Sequence, residues 1–200
     1  MPDDKKTYAP GAAGSGAAHT YPRRWFLRTA FATFMLGTRS GDVLAALDVI
    51  SKTYQTPEAF LAEAFGAAVP PPQMLELDDA KQAQISAALG RRYPQARLRY
   101  WRANGRSAWI LDDKGKEGYQ LTTAGFVVKE RAIDFARVLI YRESRGEQVA
   151  EPSFLKQLAG VHAAGAELDR KVDNISGATL SVKMMQRMAR TALTLDSLVS

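Results

Sequence analysis

Residues 96–112 hold the key to the architecture: Ala96-Arg97-Leu98-Arg99-Tyr100-Trp101-Arg102-Ala103-Asn104-Gly105-Arg106-Ser107-Ala108-Trp109-Ile110-Leu111-Asp112. Two runs rich in aromatic and aliphatic side chains flank Asn104-Gly105, the dipeptide that most readily gives both central residues of a two-residue hairpin turn a positive φ. Residues 96–103 and 107–112 are therefore predicted as the arms of a β-hairpin. Side chains alternate along a strand. Arg97, Arg99 and Trp101 are expected on one face, and Leu98, Tyr100 and Arg102 on the other.

A second pair of strands follows, over residues 120–129 and 133–141, joined at Glu130-Arg131-Ala132. Here Phe135, Arg137, Leu139 and Tyr141 alternate with Ala136, Val138 and Ile140. Successive strands without intervening helices predict an antiparallel sheet rather than βαβ units. Upstream, residues 47–69 read as helical, with Thr56-Pro57-Glu58 as a start signal and Phe60, Leu61, Ala64 and Phe65 as the apolar face. Pro70-Pro71-Pro72 breaks that pattern. A short extended piece over 74–77 then leads to a second helix that starts at Asp78 or Asp79 and stops at Gly90. A short helix after Pro152 and a long one over 182–195 complete the chain. Leu180, Met184, Met188, Thr191 and Leu195 form an apolar stripe on the long helix. The expected class is α+β, an antiparallel sheet packed with helices and closed by a long C-terminal helix.

The beginning of the chain reads as an address. Tyr21-Pro22-Arg23-Arg24-Trp25-Phe26-Leu27-Arg28 resembles the twin-arginine export signal, and a moderately apolar run, residues 29–37, follows directly. That run is well short of the roughly 20 apolar residues of a membrane-spanning helix. Val43-Leu44-Ala45 suits a signal peptidase, with cleavage expected after Ala45 or Ala46. Residues 1–45 are then a signal peptide and flexible leader, 46–95 a helical N-terminal part, and 96–200 the functional domain. The location expected is periplasmic, or otherwise exported by the twin-arginine route. An Arg-rich amphipathic helix behind a Gly/Ala/Ser-rich tail is the alternative reading of this segment.

Charge narrows the partners. The whole chain has 27 basic and 21 acidic side chains, net +6. Six of the basic and three of the acidic residues precede Ala46, leaving 21 and 18, so half of the excess belongs to the leader. A nucleic-acid role loses its support. Arg91, Arg92, Arg97, Arg99, Arg102 and Arg106 occur with no acid between them. They form either a solvated strand face or a guide for an acidic partner or a phosphate, with Arg102 and Arg106 as the better placed candidates.

There is no Cys, which excludes disulfides, iron–sulfur clusters, Cys-ligated zinc and covalent c-type haem. The two histidines, His19 and His162, make no ligand or triad pattern, and His162 reads as a surface or loop-packing residue. Redox work by this chain therefore needs an organic cofactor.

Near the other end, Asp173-Asn174-Ile175-Ser176-Gly177-Ala178-Thr179-Leu180-Ser181 runs straight into the long helix. Gly177 permits a tight turn. The unpaired amides and the dipole of a helix N-terminus favour an anion beside Thr179. Ser, Thr and Asp before a helix are equally the ingredients of an ordinary N-cap.

Asp173-x-x-Ser176-Gly177-Ala178-Thr179 resembles the flavinylation motif of the FMN-binding domain family. That family includes the C subunit of the sodium-pumping NADH:quinone oxidoreductase and the G subunit of the Rnf complex. Tyr100-Trp101-Arg102, Gly105 to Asp112, Gly115-Lys116, Gly125 to Val128 and Val138 to Val149 resemble single-domain exported members in the same order. The likeness covers roughly half of the chain, from Arg97 to Leu195, and departs at Gln148.

The resemblance implies that Thr179 carries FMN, derived from FAD, through a phosphoester made by a flavin transferase. Ser176, Gly177, Ala178, Leu180 and Asp173 would surround the attachment point, and Lys116, Tyr141, Glu143, Ser144 and Gly146 would set the flavin's environment. Plain alternatives stand beside these roles. Lys116 lies in a charged turn, and Glu143 is able to cap or to pair with Arg142 or Arg145. Gly146 is able simply to supply a positive φ, Tyr141 reads as half-buried sheet surface, and Asp173 reads as a turn former or as part of the transferase motif.

On this reading the protein is an electron-transfer flavoprotein rather than a stand-alone enzyme. It would pass electrons between a membrane-bound or soluble reductase and an acceptor, or serve as a subunit of a larger redox system. A cofactor-free binding or assembly module, with the Ser-Gly-Ala-Thr stretch as a helix cap, is the competing reading.

Overall fold

The computed structural model describes residues 51–116 and 120–200. The twin-arginine segment, the expected cleavage site and the first residues of the expected N-terminal helix lie outside them. Among the described residues, no helix is long and apolar enough to cross a membrane.

Six strands form one antiparallel sheet: β1 (Lys52–Thr53), β2 (Gln73–Glu76), β3 (Arg97–Ala103), β4 (Arg106–Asp113), β5 (Thr122–Lys129) and β6 (Ala132–Tyr141). Their order across the sheet is β1-β6-β5-β4-β3-β2, so β3 to β6 are a simple meander. Asn104 and Gly105 take φ of 52° and 71°, the mirror-image turn that the dipeptide predicts. The β5–β6 turn reaches the same region without glycine, at Glu130 (φ 51°) and Arg131 (φ 63°), and Ala132 already belongs to β6.

Both faces of the sheet are covered. On one face lie α2 (Asp79–Leu89) and the long α4 (Thr179–Val199), which bury Trp109, Phe126, Val138 and Tyr141 together with Met184, Met185 and Met188. Tyr100 stacks on its cross-strand partner Trp109, with ring centroids 5.0 Å apart. On the other face lies α1 (Pro57–Phe65), whose Phe60 and Leu61 pack on Ala108, Val127 and Leu139. A Cβ on Gly125 would come within 2.6 Å of the Phe60 ring, so the absence of a side chain there lets α1 approach the sheet.

Helix α1 is shorter than the expected 47–69. Thr56 sits before Pro57, and a residue before proline is pushed to extended backbone. Its ψ is 155°, and its hydroxyl accepts from the Ala59 amide at 3.2 Å as an N-cap. Lys52 and Thr53 instead pair with Tyr141 and Ile140. The helix ends at Gly66. Asp78, rather than Asp79, caps α2 by accepting from the Lys81 amide at 2.9 Å, and left-handed Gly90 terminates it. Helix α3 (Pro152–Leu155) follows Pro152 as expected. A small hairpin, β7 (Ala163–Ala164) with β8 (Glu167–Leu168), was not anticipated. His162, beside it, pairs with Asp169 at 3.1 Å on the surface.

Two corrections concern which way side chains face. Strand β6 pairs Thr123 with Ile140 but Ala124 with Val138, and Val127 with Phe135 but Val128 with Ile133. Each step leaves one extra residue on β6, a bulge that shifts the alternation. Tyr141 therefore lies with Val138 in the α4-side core, 2% exposed, and not with Arg137 and Leu139 or half-buried at the surface. The α4 stripe holds at Met184, Met188, Thr191 and Leu195, but Leu180 is 48% exposed, because in the first turn Ser181 and Val182 face the core and Leu180 lies at the edge of the buried face.

The arginine series is divided by the fold. Arg97 and Arg99 are exposed on β3, whereas Arg91 binds Asp113 at 2.6 Å and Arg106 binds Asp134 at 3.1 Å. Arg102 donates to the carbonyl of Val199. The acids missing from the local sequence are supplied from elsewhere in the chain.

Candidate functional site

Strand β6 and helix α4 bring the two ends of the site together. Beyond Tyr141 the chain turns through residues 142–146 into a 3-10 turn over Glu147–Ala150. Gly146 takes φ +89°, and a Cβ there would lie 2.1 Å from Ser181 Oγ and 3.0 Å from Tyr141 Oη. No other residue type fits this contact. The Tyr141 hydroxyl donates to the carbonyl of Arg145 and shares a 3.1 Å hydrogen bond with Ser181 Oγ. The loop is thereby fastened to the first turn of α4. Burial pushes the Tyr141 phenol up to about 12, the Ser181 hydrogen bond opposes the shift, and the Glu143 charge adds to it.

The start of α4 is open. Left-handed Gly177 turns the chain, and the Ala178 amide donates to the Ile175 carbonyl at 2.9 Å. Ala178 is the N-cap residue, and no side chain caps the helix. The Ser-Gly-Ala-Thr stretch thus does not act as a side-chain cap. Thr179 is the first helical residue, with an exposed side chain whose Oγ accepts from Asn174 Nδ2 at 2.9 Å. The amides of a first helical turn have no intrahelical acceptor and carry the positive end of the dipole.

A cleft of about 490 Å³ lies here, within the range of ~300–1,000 Å³ common for small-molecule and cofactor sites. Lys116, Glu143, Ser144, Gly177, Ala178, Thr179 and Leu180 line it, together with Arg145 and Ser181. Its polar lining includes two cationic side chains and the Thr179 hydroxyl, and Leu180 contributes an exposed apolar one. Such a set can hold a phosphate at the helix start and an apolar ring beside it.

The remaining sequence candidates lie apart from this lining. Tyr141 and Gly146 sit behind it and act through Ser181. Ser176 and Asp173 are exposed on the approach to α4, where the Asp173 amide donates to Gln157 Oε1 at 2.8 Å. Arg102 and Arg106 do not reach the cleft, so neither guides a phosphate there. Arg145 lines the cleft instead, and sequence reasoning missed it because it read only as a possible partner of Glu143. Ser181 was missed because a serine in a first helical turn looks like any other. The signal able to find it was the glycine at 146, whose need is explained only by a close neighbour.

Residues 112–194 match the model of the FMN-binding domain family. No curated protein and no solved structure matches the chain. The matched segment contains the whole lining of the cleft and both of its walls.

Proposed function

We propose that this flavin-binding protein carries FMN covalently on Thr179 through a phosphoester bond and works as an exported electron-transfer carrier. The observation that carries the reading is the exposed Thr179 hydroxyl at the uncapped start of α4, inside a cleft lined by Lys116 and Arg145. The residues present suit the group. The phosphate would lie at the open amides of α4, beside the two cations, and Leu180 offers the flavin ring an apolar surface. The bound flavin supplies the redox chemistry, and the chain supplies position, exposure and local charge.

Attachment makes Thr179 a tether. Its Oγ forms the new ester bond to the FMN phosphorus of FAD as the bond from that phosphorus to the AMP oxygen breaks. AMP leaves, and the threonine proton passes to solvent. A flavin transferase is the partner this step needs, and a reductase and an acceptor, membrane-bound or soluble, are the partners of the loaded protein.

Co-expression with an active flavin transferase tests the reading. After denaturation, yellow colour and a mass increment of FMN less one water should stay with the polypeptide, and Thr179→Ala should lose both while keeping its fold. An unlabelled wild-type chain under verified transferase activity refutes it. Export is tested separately: replacing Arg23 and Arg24 together by lysine should hold the protein in the cytoplasm, and unchanged export refutes the twin-arginine route.

A further inference from the structure

The turn that follows β4, Lys114 to Lys116, forms one wall of the cleft, and it is gripped from two sides. From the β6 side, Glu143 Oε1 accepts the Gly115 amide at 2.6 Å. The contact is close enough that a Cβ on Gly115 would stand 2.8 Å from Glu143 Oε2. From the α4 side, Arg187 donates through Nε to Asp113 Oδ2 at 3.0 Å and through Nη2 to the Lys114 carbonyl at 2.8 Å. Asp113 in turn accepts the Lys114 amide at 2.7 Å and a bond from Arg91 at 2.6 Å. Asp113 is fully buried, and a buried carboxylate keeps its charge only when it is paired and hydrogen-bonded. One guanidinium therefore holds a side chain and a main-chain carbonyl of the same turn, from the helix that Thr179 begins.

We propose that Glu143 and Asp113 are positioning residues that hold the 114–116 turn as a fixed wall of the cleft, so that Lys116 and Thr179 belong to one rigid frame. Resting on the reading of the cleft as a flavin site, this assigns Glu143 a different task from direct contact with the flavin. Its carboxylate serves as an acceptor for Gly115, and a neutral amide acceptor can do the same. Arg187 acts through its two-point grip, which lysine cannot reproduce despite its charge.

The full chain without flavin gives the first test, by exchange of the Gly115 backbone amide. Glu143→Ala should speed it about tenfold or more, the loss expected for a hydrogen bond to a charged group. Glu143→Gln should keep protection near wild type, and Arg187→Lys should lose part of it. Unchanged Gly115 exchange in both Glu143→Ala and Arg187→Lys overturns the proposal. Where Glu143→Ala does not fold, the two milder variants decide: rapid exchange in Glu143→Gln alongside normal exchange in Arg187→Lys is the overturning result.

The transferase-labelled chain gives the second test. Quenching of flavin fluorescence by iodide should rise in Glu143→Ala and stay at the wild-type level in Glu143→Gln. Equal rises in both variants, with Gly115 still protected in Glu143→Gln, assign the carboxylate charge to the flavin itself and overturn the positioning role. A chain that accepts no flavin under verified transferase activity refutes the flavin reading alone, and the amide exchange still decides this one.

Discussion

Replacing Gly146 by alanine sets a methyl group where Ser181 Oγ lies 2.1 Å away, Ser181 Cβ 2.9 Å and Tyr141 Oη 3.0 Å. Two costs combine. The positive φ of 89° is unfavourable for a residue with a Cβ, by about 1–2 kcal/mol. The methyl also overfills a packed contact, which costs roughly 1–3 kcal/mol and forces the loop and the start of α4 apart. Together they predict a loss of about 2–5 kcal/mol, a large share of the ~5–15 kcal/mol that stabilises a typical domain. Gly177→Ala is the matched control, since its φ is +79° but nothing lies within 4 Å of the added carbon. It should cost only the backbone part, about 1–2 kcal/mol. Urea unfolding followed by tryptophan fluorescence measures both, and equal m-values license the comparison. Ser181→Gly should recover part of the loss in the Gly146→Ala background but not in the Gly177→Ala background. Two alanine variants equal within about 0.5 kcal/mol, with no recovery, would refute the claim that the Tyr141–Ser181 contact dictates glycine at 146.

Asp113→Asn leaves Arg91 and Arg187 facing a neutral group in a dry site and should cost about 3–5 kcal/mol, read in calorimetry as a melting point lower by roughly 6–20 °C. Thr56→Ala removes the cap of α1 and should cost about 1 kcal/mol in the same assay, with the cleft unaffected. Alkaline pH acts through buried phenols. Tyr141 and Tyr93 are each pushed up to about 12 from an ordinary 10.0, chiefly by burial, so the folded state keeps protons that the unfolded state releases first. Their contribution is full below pH 10 and declines as pH rises toward about 12. The urea midpoint should fall across that window, and Tyr141→Phe should fall less steeply. A midpoint independent of pH there excludes the effect.

The parts of this molecule that announce themselves in sequence depend on local chemistry. Asn104-Gly105 fixes the β3–β4 hairpin because few dipeptides suit two successive positive φ values. Asp78, Gly90 and Thr56-Pro57 mark helix ends through groups that act within four residues. Glu130-Arg131 makes the same kind of turn as Asn104-Gly105 but is marked only by its position between two strand-like runs. Tyr141 shows where local reading ends: a period of two assigns it to the Leu139 face, and the bulge between Val138 and Ile140, created by pairing with β5, reverses the assignment. Helix α1 was overextended because the apolar pattern continues upstream of Thr56, whereas residues 52–53 are recruited by the edge of β6. The Thr179 end of the site was legible because a helix start, a turn glycine and a hydroxyl adjoin in the chain. Arg145, Ser181 and the Arg187 grip on the 114–116 turn were not, since each has meaning only through residues distant in the chain: Ser181 meets Tyr141 40 positions away, and Arg187 meets Lys114 73 positions away.

The meander from β3 to β6 closes by neighbouring hairpins, while α4 meets that sheet only through contacts that span much of the domain. Pairings between neighbours form readily, and long-range ones form late. Until α4 docks, the face holding Trp109, Phe126 and Val138 has only α2 to cover it, and Thr179 has no defined place. The geometry of the threonine is thus a certificate of completed folding, legible at the surface. On the proposed attachment at Thr179, a transferase that read this loop by its shape would label only chains in which α4 is seated.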